Sequence, residues 1–480
     1  MKKQAFNPYL PCYEYVPDAE PRVFGDRVYV YGSHDRFDGD KFCMNDYVCW
    51  SAPVNDLGNW QYEGVIYEKI QEPSNKDGKR NLFAPDVERG PDGRFYLYYS
   101  MMGTVSVAVC DSPAGKYEFL GYVQHPDTTP IGRKKGDNVN FDPAIFVDED
   151  SRVFLYSGVV SDPEFRKMIK EGGLLADGSY CIELEQDMIT VKQGPILVVD
   201  AEREDYAEHV FFEGSSIRKI KGRYYFVYSS RNGHELCYAV SDTPNGQFAF
   251  KGPLVSNGDI FLNGKAGEDA VNYTGNTHGG LLELDGHYYI FYHRQTNLHH
   301  YSRQGCAEEV FLSSDGTISQ AEITSCGLNG GPLKGEGNYE FYIACNLSSK
   351  EGALFYPQEK MEPGIHPFFT QDKSDGDIEA RQYISNFCDG AMAGIKYFEF
   401  DGPCEIAIRT RGNAKGRLEV YDNCSLSGEP AARIGLQYSD EWVEGRTRLN
   451  VQKGKTGLFF TFRGEGAADL LDFSLIGNES

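Results

Sequence analysis

The chain has 480 residues, 40% of them hydrophobic and 14% aromatic, and a formal net charge of −24. That apolar content excludes a disordered polymer, and the length exceeds one ordinary core, so two domains are expected. The acidic balance lacks the dense cationic surface that phosphate binding needs, which argues against nucleic acid, and no stretch has the apolar length of a membrane span.

The 32 tyrosines and 30 phenylalanines lean toward β-structure, and 53 glycines with 22 prolines supply the turns that short strands require. The N-terminal MKKQAFNPYLPCYEY has two lysines with no apolar stretch behind them, so no export signal is expected. The twelve cysteines form no C-x-x-C pair. Scattered single thiols without an export signal imply a reduced, cytoplasmic setting.

In chain order, five segments share a turn followed by an aromatic strand: FGDRVYVYGS at 24–33, GPDGRFYLYYS at 90–100, DEDSRVFLYSG at 148–158, IKGRYYFVYSS at 220–230 and LDGHYYIFYHR at 284–294. Each reads as the middle of a hairpin. Their last aromatics, Tyr31, Tyr99, Tyr156, Tyr228 and Tyr292, recur at roughly sixty to seventy residues, room for a four-stranded unit with loops. The repeat predicts an all-β fold, with a five-bladed β-propeller over residues 1–326.

About fourteen residues before each tyrosine, one strand and its turn earlier, stand Asp18, Asp86, Asp142, Glu213 and His278. The innermost strand of each blade lines the central channel, so equivalent positions should converge there. A ring of four carboxylates and one imidazole around a single pocket is therefore expected. Any one of them alone reads as a turn residue. Five in register bring like charges together, which structure alone has no reason to tolerate.

The stretches NPYLPCYEYVPDAEP, FAPDV, FDPAIF, FFEGSSIRKIKGRYYFVYSS and NTHGGLLELDGHYYIFYHR, one per blade, resemble glycoside hydrolase family 43. Its members are five-bladed propeller enzymes that cut arabinose or xylose residues from plant polysaccharides. The resemblance implies Asp18 as general base, Glu213 as general acid, and Asp142 as the carboxylate that tunes and orients the acid. It matches His278 to an axial histidine that, in many members, faces a water cluster or a metal ion. No cofactor is required by this reading, and a structural calcium or sodium ion on the axis is the single ion it allows. Arg294, in YHR, matches an arginine that reaches the sugar. Asp86 belongs to the same substrate-facing set, and Phe83 stands where a tryptophan is common. His34, just after the first repeat strand, is a further candidate, with Asp35 beside it.

Inverting hydrolysis needs a protonated acid at the leaving oxygen and an ionised carboxylate activating water on the opposite face, roughly 6.5–9.5 Å away. Glu213 is expected to be held protonated by a buried, negative neighbourhood with Asp142 as the field, and Asp18, nearer solvent, to stay ionised. Related invertase-like propellers retain configuration and share FDP, but their Trp-Met-Asn-Asp-Pro opening and Glu-Cys acid motif are absent here. HELCY at 234–238 lacks the second histidine of a zinc helix, and DKSDGDIE at 372–379 lacks the spacing of a calcium loop. Adjacent His299 and His300 on a strand point to opposite faces, so one of them can approach the pocket. The expected activity is an exo-acting release of α-L-arabinofuranosyl or β-D-xylosyl units from oligosaccharides. Inserts at 72–81 and 161–173 favour it by walling off one end. The alternatives are an endo-arabinanase with an open groove and a non-catalytic sugar-binding propeller.

The five-fold pattern stops after AEITSCGLNGGPLKGEGNYEF, and the Gly-rich stretch 327–335 reads as a linker. Short alternating strands over 336–480 predict a β-sandwich of jelly-roll type, whose last stretch resembles family 6 carbohydrate-binding modules. Trp442, Tyr383 and Tyr397 are its candidate sugar-stacking rings.

Overall fold

The computed structural model describes residues 3–101 and 103–477. The first three repeats fold as meanders of four antiparallel strands: β1–β4 (Glu20–Phe24, Arg27–Tyr31, Tyr47–Pro53, Gln61–Tyr67), β5–β8 (Asp86–Arg89, Phe95–Met101, Thr104–Cys110, Glu118–Tyr122) and β9–β12 (Ala144–Val147, Val153–Ser157, Gly178–Leu184, Val191–Asp200). The fourth is β13–β16 (Phe211–Ile220, Arg223–Ser230, Glu235–Ser241, Ala249–Ser256). The fifth has three strands, β17–β19 (Leu281–Leu284, His287–Thr296, His299–Val310), where four were expected. The place beside β19 is taken by the N-terminal segment: the Tyr9 amide donates to the Gly305 carbonyl at 3.2 Å, and the Asn7 side chain bonds both backbone groups of Ala307. The first strands of the sheets touch in the cyclic order β1, β5, β9, β13, β17 and back to β1, which closes a five-bladed propeller.

The second strand of each blade is sandwiched between neighbouring blades, so it reads as a nearly continuous apolar run instead of alternating. The marker tyrosines sit there, fully or almost fully buried. Each pair of successive blades encloses one core, from Tyr31, Leu97 and Tyr99 between the first two to Val28, Val30, Phe291 and Tyr289 between the fifth and the first. A nine-residue helix, α1 (Pro163–Glu171), interrupts the third blade, with Asp162 capping its first turn.

Beyond the propeller, two six-stranded sheets pack face to face over one core. One contains Gln382–Cys388, Cys404–Gly412 and Ala467–Ile476; the other contains Met392–Phe400, Lys415–Tyr421 and Gly454–Glu465. Leu333–Lys334 pairs in parallel with Phe398–Glu399 of the second sheet. The sandwich seats directly on the propeller: the Tyr15 hydroxyl donates to Gln371 at 2.7 Å, and Lys396 meets Glu322 at 2.7 Å.

Candidate active site

On the propeller axis lies a cavity of about 630 Å³, lined among others by Asp18, Phe83, Asp142, Glu213, His278, His300 and Arg303. Asp18 and Asp142 are built alike. Each stands two residues ahead of the residue opposite its blade's marker tyrosine, Glu20 facing Tyr31 and Ala144 facing Tyr156. Each also adopts a left-handed backbone, φ 57° and 44°, which Asp tolerates better than most residues and which directs the carboxylate off the strand toward the axis. Glu213 reaches the cavity by another device. It lies inside β13, opposite Ser229, and the ladder slips at the next residue, Gly214. Gly214 has φ 74°, and a Cβ there would come within 2.7 Å of Ser229 Oγ and 3.1 Å of the His278 ring. Only glycine fits this bulge.

The three carboxyl groups have opposite protonation tendencies. Burial is the largest single effect on Asp18 and would raise it, but the Arg303 guanidinium at 2.9 Å, with smaller contributions from His293, His278 and the Ser33 hydroxyl, outweighs it and holds Asp18 below its ordinary value. Asp18 is therefore kept ionised by a cation; it is buried at 5% exposure and not near solvent as expected. Glu213 is pushed up to about 8 by burial first and by the charge of Asp18 second. Asp142 is raised well above the usual carboxylate range by burial, then by Glu213 and Asp18. Glu213 and Asp142 thus form a pair that does not ionise fully together at neutral pH.

Two histidines frame this set. His278 Nδ1 lies 3.7 Å from Asp142, and its Nε2 is buried without a hydrogen-bond partner among the described residues. His293, from β18, has Nε2 2.8 Å from the Asn276 carbonyl, so that nitrogen carries the proton and Nδ1 accepts from the Asp18 amide at 3.4 Å. Burial, then Arg303, pushes His293 down to about 3, so it stays neutral and fixes Asp18 without adding charge.

Three expected residues lie elsewhere. Asp86 is inside the ladder, opposite Tyr98, so it misses the pre-strand position of Asp18 and Asp142. Phe83 and Ala84 line the cavity in its place. Asp86 instead takes two bonds from Arg22, at 2.6 and 3.1 Å, and one from the Ile145 amide, plugging the axis between the inner strands of three blades. Arg294 faces away. It pairs with Gln304 across β18 and β19, while Arg303 pairs with Gln295, so the two arginines occupy opposite faces of one sheet. Arg294 lies in the seam with the sandwich, donating to the Ala344 carbonyl at 3.0 Å and stacking over Phe369 at 3.9 Å. His34 is half-buried, 2.8 Å from the Asp46 carbonyl, and does not line the cavity. Its neighbour Asp35 matters instead, gripping Arg303 with both oxygens at 2.8 and 3.0 Å. The ring of four carboxylates is thus three plus an arginine.

Arg303 was not among the residues expected at the site. Its signal was the alternation in HHYSRQG, which puts Arg303 on a different face from His300 only if the strand is regular; the ladder slips between Gln295 and Thr296, and both reach the cavity. In the sandwich, the rings proposed as sugar platforms already carry cations. Arg411 lies over Trp442 at 4.3 Å and Tyr383 at 5.0 Å, and Lys455 over Tyr397 at 4.2 Å.

A closed propeller whose axial cavity holds an ionised and a protonation-prone carboxyl group defines a propeller glycosidase. Residues 13–318 match the glycosyl hydrolases family 43 profile, and the chain belongs to that family. A xylosidase/arabinosidase of Thermoclostridium stercorarium is 47% identical over 99% of this chain and 99% of its own length. An arabinoxylan arabinofuranohydrolase of Paenibacillus polymyxa is 25% identical over 94% of this chain and 71% of its own. The fold aligns, with a TM-score of 0.51 and 18% identity over 98% of this chain and 97% of the other, to a family 43 arabinoxylan arabinofuranohydrolase of Bacillus subtilis solved with cellotetraose.

Proposed function

We propose that this glycosidase releases terminal β-D-xylosyl or α-L-arabinofuranosyl units from plant-derived oligosaccharides with inversion. The observation that carries the reading is the single cavity in which Asp18 is held below and Glu213 above the ordinary carboxyl range. In that reading Glu213 gives its proton to the glycosidic oxygen as the bond to the anomeric carbon breaks. Water attacks that carbon from the opposite face and passes a proton to Asp18. Burial and the Asp18 charge keep Glu213 protonated, and Asp142, itself raised by burial and by Glu213, completes the acidic set as the positioning carboxyl group. The two relatives, a xylosidase/arabinosidase and an arabinoxylan arabinofuranohydrolase by name, support xylose or arabinose as the sugar released. Walls from Ser161, Asp162 and Pro163 on one side and Phe355 and Gln358 on another support a pocket for a chain end over a through-groove. His278 would hold an axial ion or water through its unpartnered Nε2, in a structural role through which no step passes.

The test is a panel of nitrophenyl arabinofuranoside, xyloside and galactofuranoside, with xylobiose and arabinofuranosyl-xylose as substrates of poor leaving group, assayed with wild type and Glu213→Gln, with the anomer of the first-formed sugar read by proton NMR. Wild type should cleave at least one of the first two with inversion, and the variant should lose about a thousandfold in kcat for substrates that need a proton at the leaving oxygen. Full activity of Glu213→Gln on xylobiose and arabinofuranosyl-xylose, whose leaving sugars need that proton, or retained configuration, overturns the reading.

A further inference from the structure

The outermost wall of the cavity does not come from the propeller. Phe355 and Gln358 line it from the chain beyond the five blades. Phe355 is 52% exposed, an unusual state for a phenylalanine whose backbone is held tightly. The Thr274 amide donates to the Leu354 carbonyl at 3.0 Å, and the Tyr356 amide donates to the Thr274 carbonyl at 2.8 Å. This extended pairing sends successive side chains to opposite sides. Tyr356 goes inward and stacks on Tyr273, centroids 4.9 Å apart, so Phe355 is directed outward over the cavity. Its ring lies on Gly233, where a Cβ would come within 3.0 Å of it, and meets the His300 ring edge-on at 5.3 Å. His300 is 7% exposed, and its Nε2 is buried with no hydrogen-bond partner among the described residues.

We propose that Phe355, His300 and Gln358 form the subsite for the leaving-group sugar, so that the C-terminal part of the chain completes the active site. This rests on Glu213 being the acid. The acid must touch the leaving oxygen, and Gly233, which carries the Phe355 ring, belongs to the turn between β14 and β15 of the same blade as Glu213. Asp18, Asp142 and His278 are buried at the floor, where the ring being released must lie, whereas Phe355 stands exposed at the mouth. A sugar has an apolar face of C–H groups that covers a phenyl ring, and its hydroxyls can satisfy the orphaned His300 nitrogen and the Gln358 amide. Substrates with a sugar as leaving group gain from this wall; the released monosaccharide does not.

The experiment is titration calorimetry of wild type, Phe355→Ala and Phe355→Tyr. The ligands are sulfur-linked β-D-xylosyl-xylose and α-L-arabinofuranosyl-xylose, which resist hydrolysis, and free D-xylose and L-arabinose. Phe355→Ala should weaken the better disaccharide about tenfold and its monosaccharide less than twofold, with Phe355→Tyr restoring wild-type affinity. Equal losses for both ligands, no loss for either, or no disaccharide binding by wild type would overturn the inference. Tight, Phe355-dependent binding by a protein that cleaves no glycoside would sink the catalytic reading alone and leave the subsite standing.

Discussion

Arg303 holds two buried carboxylates at once, Asp18 through one terminal nitrogen and Asp35 through the rest of its fork, while its plane lies over Phe42 at 4.6 Å. A lysine would keep the charge but lose the fork and the stacking. Weaker support lets the Asp18 carboxyl rise toward its ordinary value, and because Arg303 also lowers Glu213, that group rises further. The base must be ionised, so activity appears as pH rises through Asp18. The acid must be protonated, so activity disappears as pH rises through Glu213, near pH 8 in the wild type. Arg303→Lys should therefore move both limbs of the kcat/KM–pH profile to higher pH and lower its maximum by about tenfold. Unmoved limbs would show that Arg303 does not set these charges. At this scale the three carboxylates were legible because acidic residues before apolar strands stand out. The arginine was not, because two arginines nine positions apart in one hairpin differ only in face.

The element that closes the ring is the N-terminal segment beside β19. Asn7 donates to the Ala307 and Thr324 carbonyls at 2.9 and 3.0 Å and to Glu308 at 2.8 Å, and accepts from the Ala307 amide at 3.0 Å. Both side-chain atoms of this 3% exposed residue are used, and alanine would leave their partners buried and unsatisfied. Asn7→Ala should cost about 2–4 kcal/mol in urea unfolding. A loss below about 0.5 kcal/mol would mean that the clasp contributes nothing to closure. The repeat announced five blades through its tyrosines but was blind to this clasp. A strand-like segment that pairs three hundred residues away leaves no local pattern.

At the scale of the whole molecule, propeller and sandwich are joined by polar groups that neither satisfies alone. Arg294 is 4% exposed, and its hydrogen-bonding partners include Ala344 and Gln382 of the sandwich. Ending the chain after residue 335 would remove these partners and open to water the apolar seam in which Tyr273 and Leu298 of the propeller share the core of the sandwich. Calorimetry should show one transition for the full chain and a much lower, broadened one for the truncated chain. An unshifted midpoint would mean that the two parts are energetically independent. The sandwich was readable as short alternating strands, but nothing in its sequence says that its seam holds Arg294 or that Phe355 overhangs the cavity.

The amino-acid sequence by itself determined the all-β class, the five repeats and the three cavity carboxylates, because strand periodicity, turn residues and the step from marker tyrosine to inner strand are local and recur. Only the tertiary structure decided that Arg303 and not Arg294 meets Asp18, that Asp86 plugs the axis, and that a residue beyond the blades walls the pocket. The reason is that a shift of one residue along a strand turns a side chain to the opposite face, and contacts across hundreds of residues depend on how whole sheets are packed.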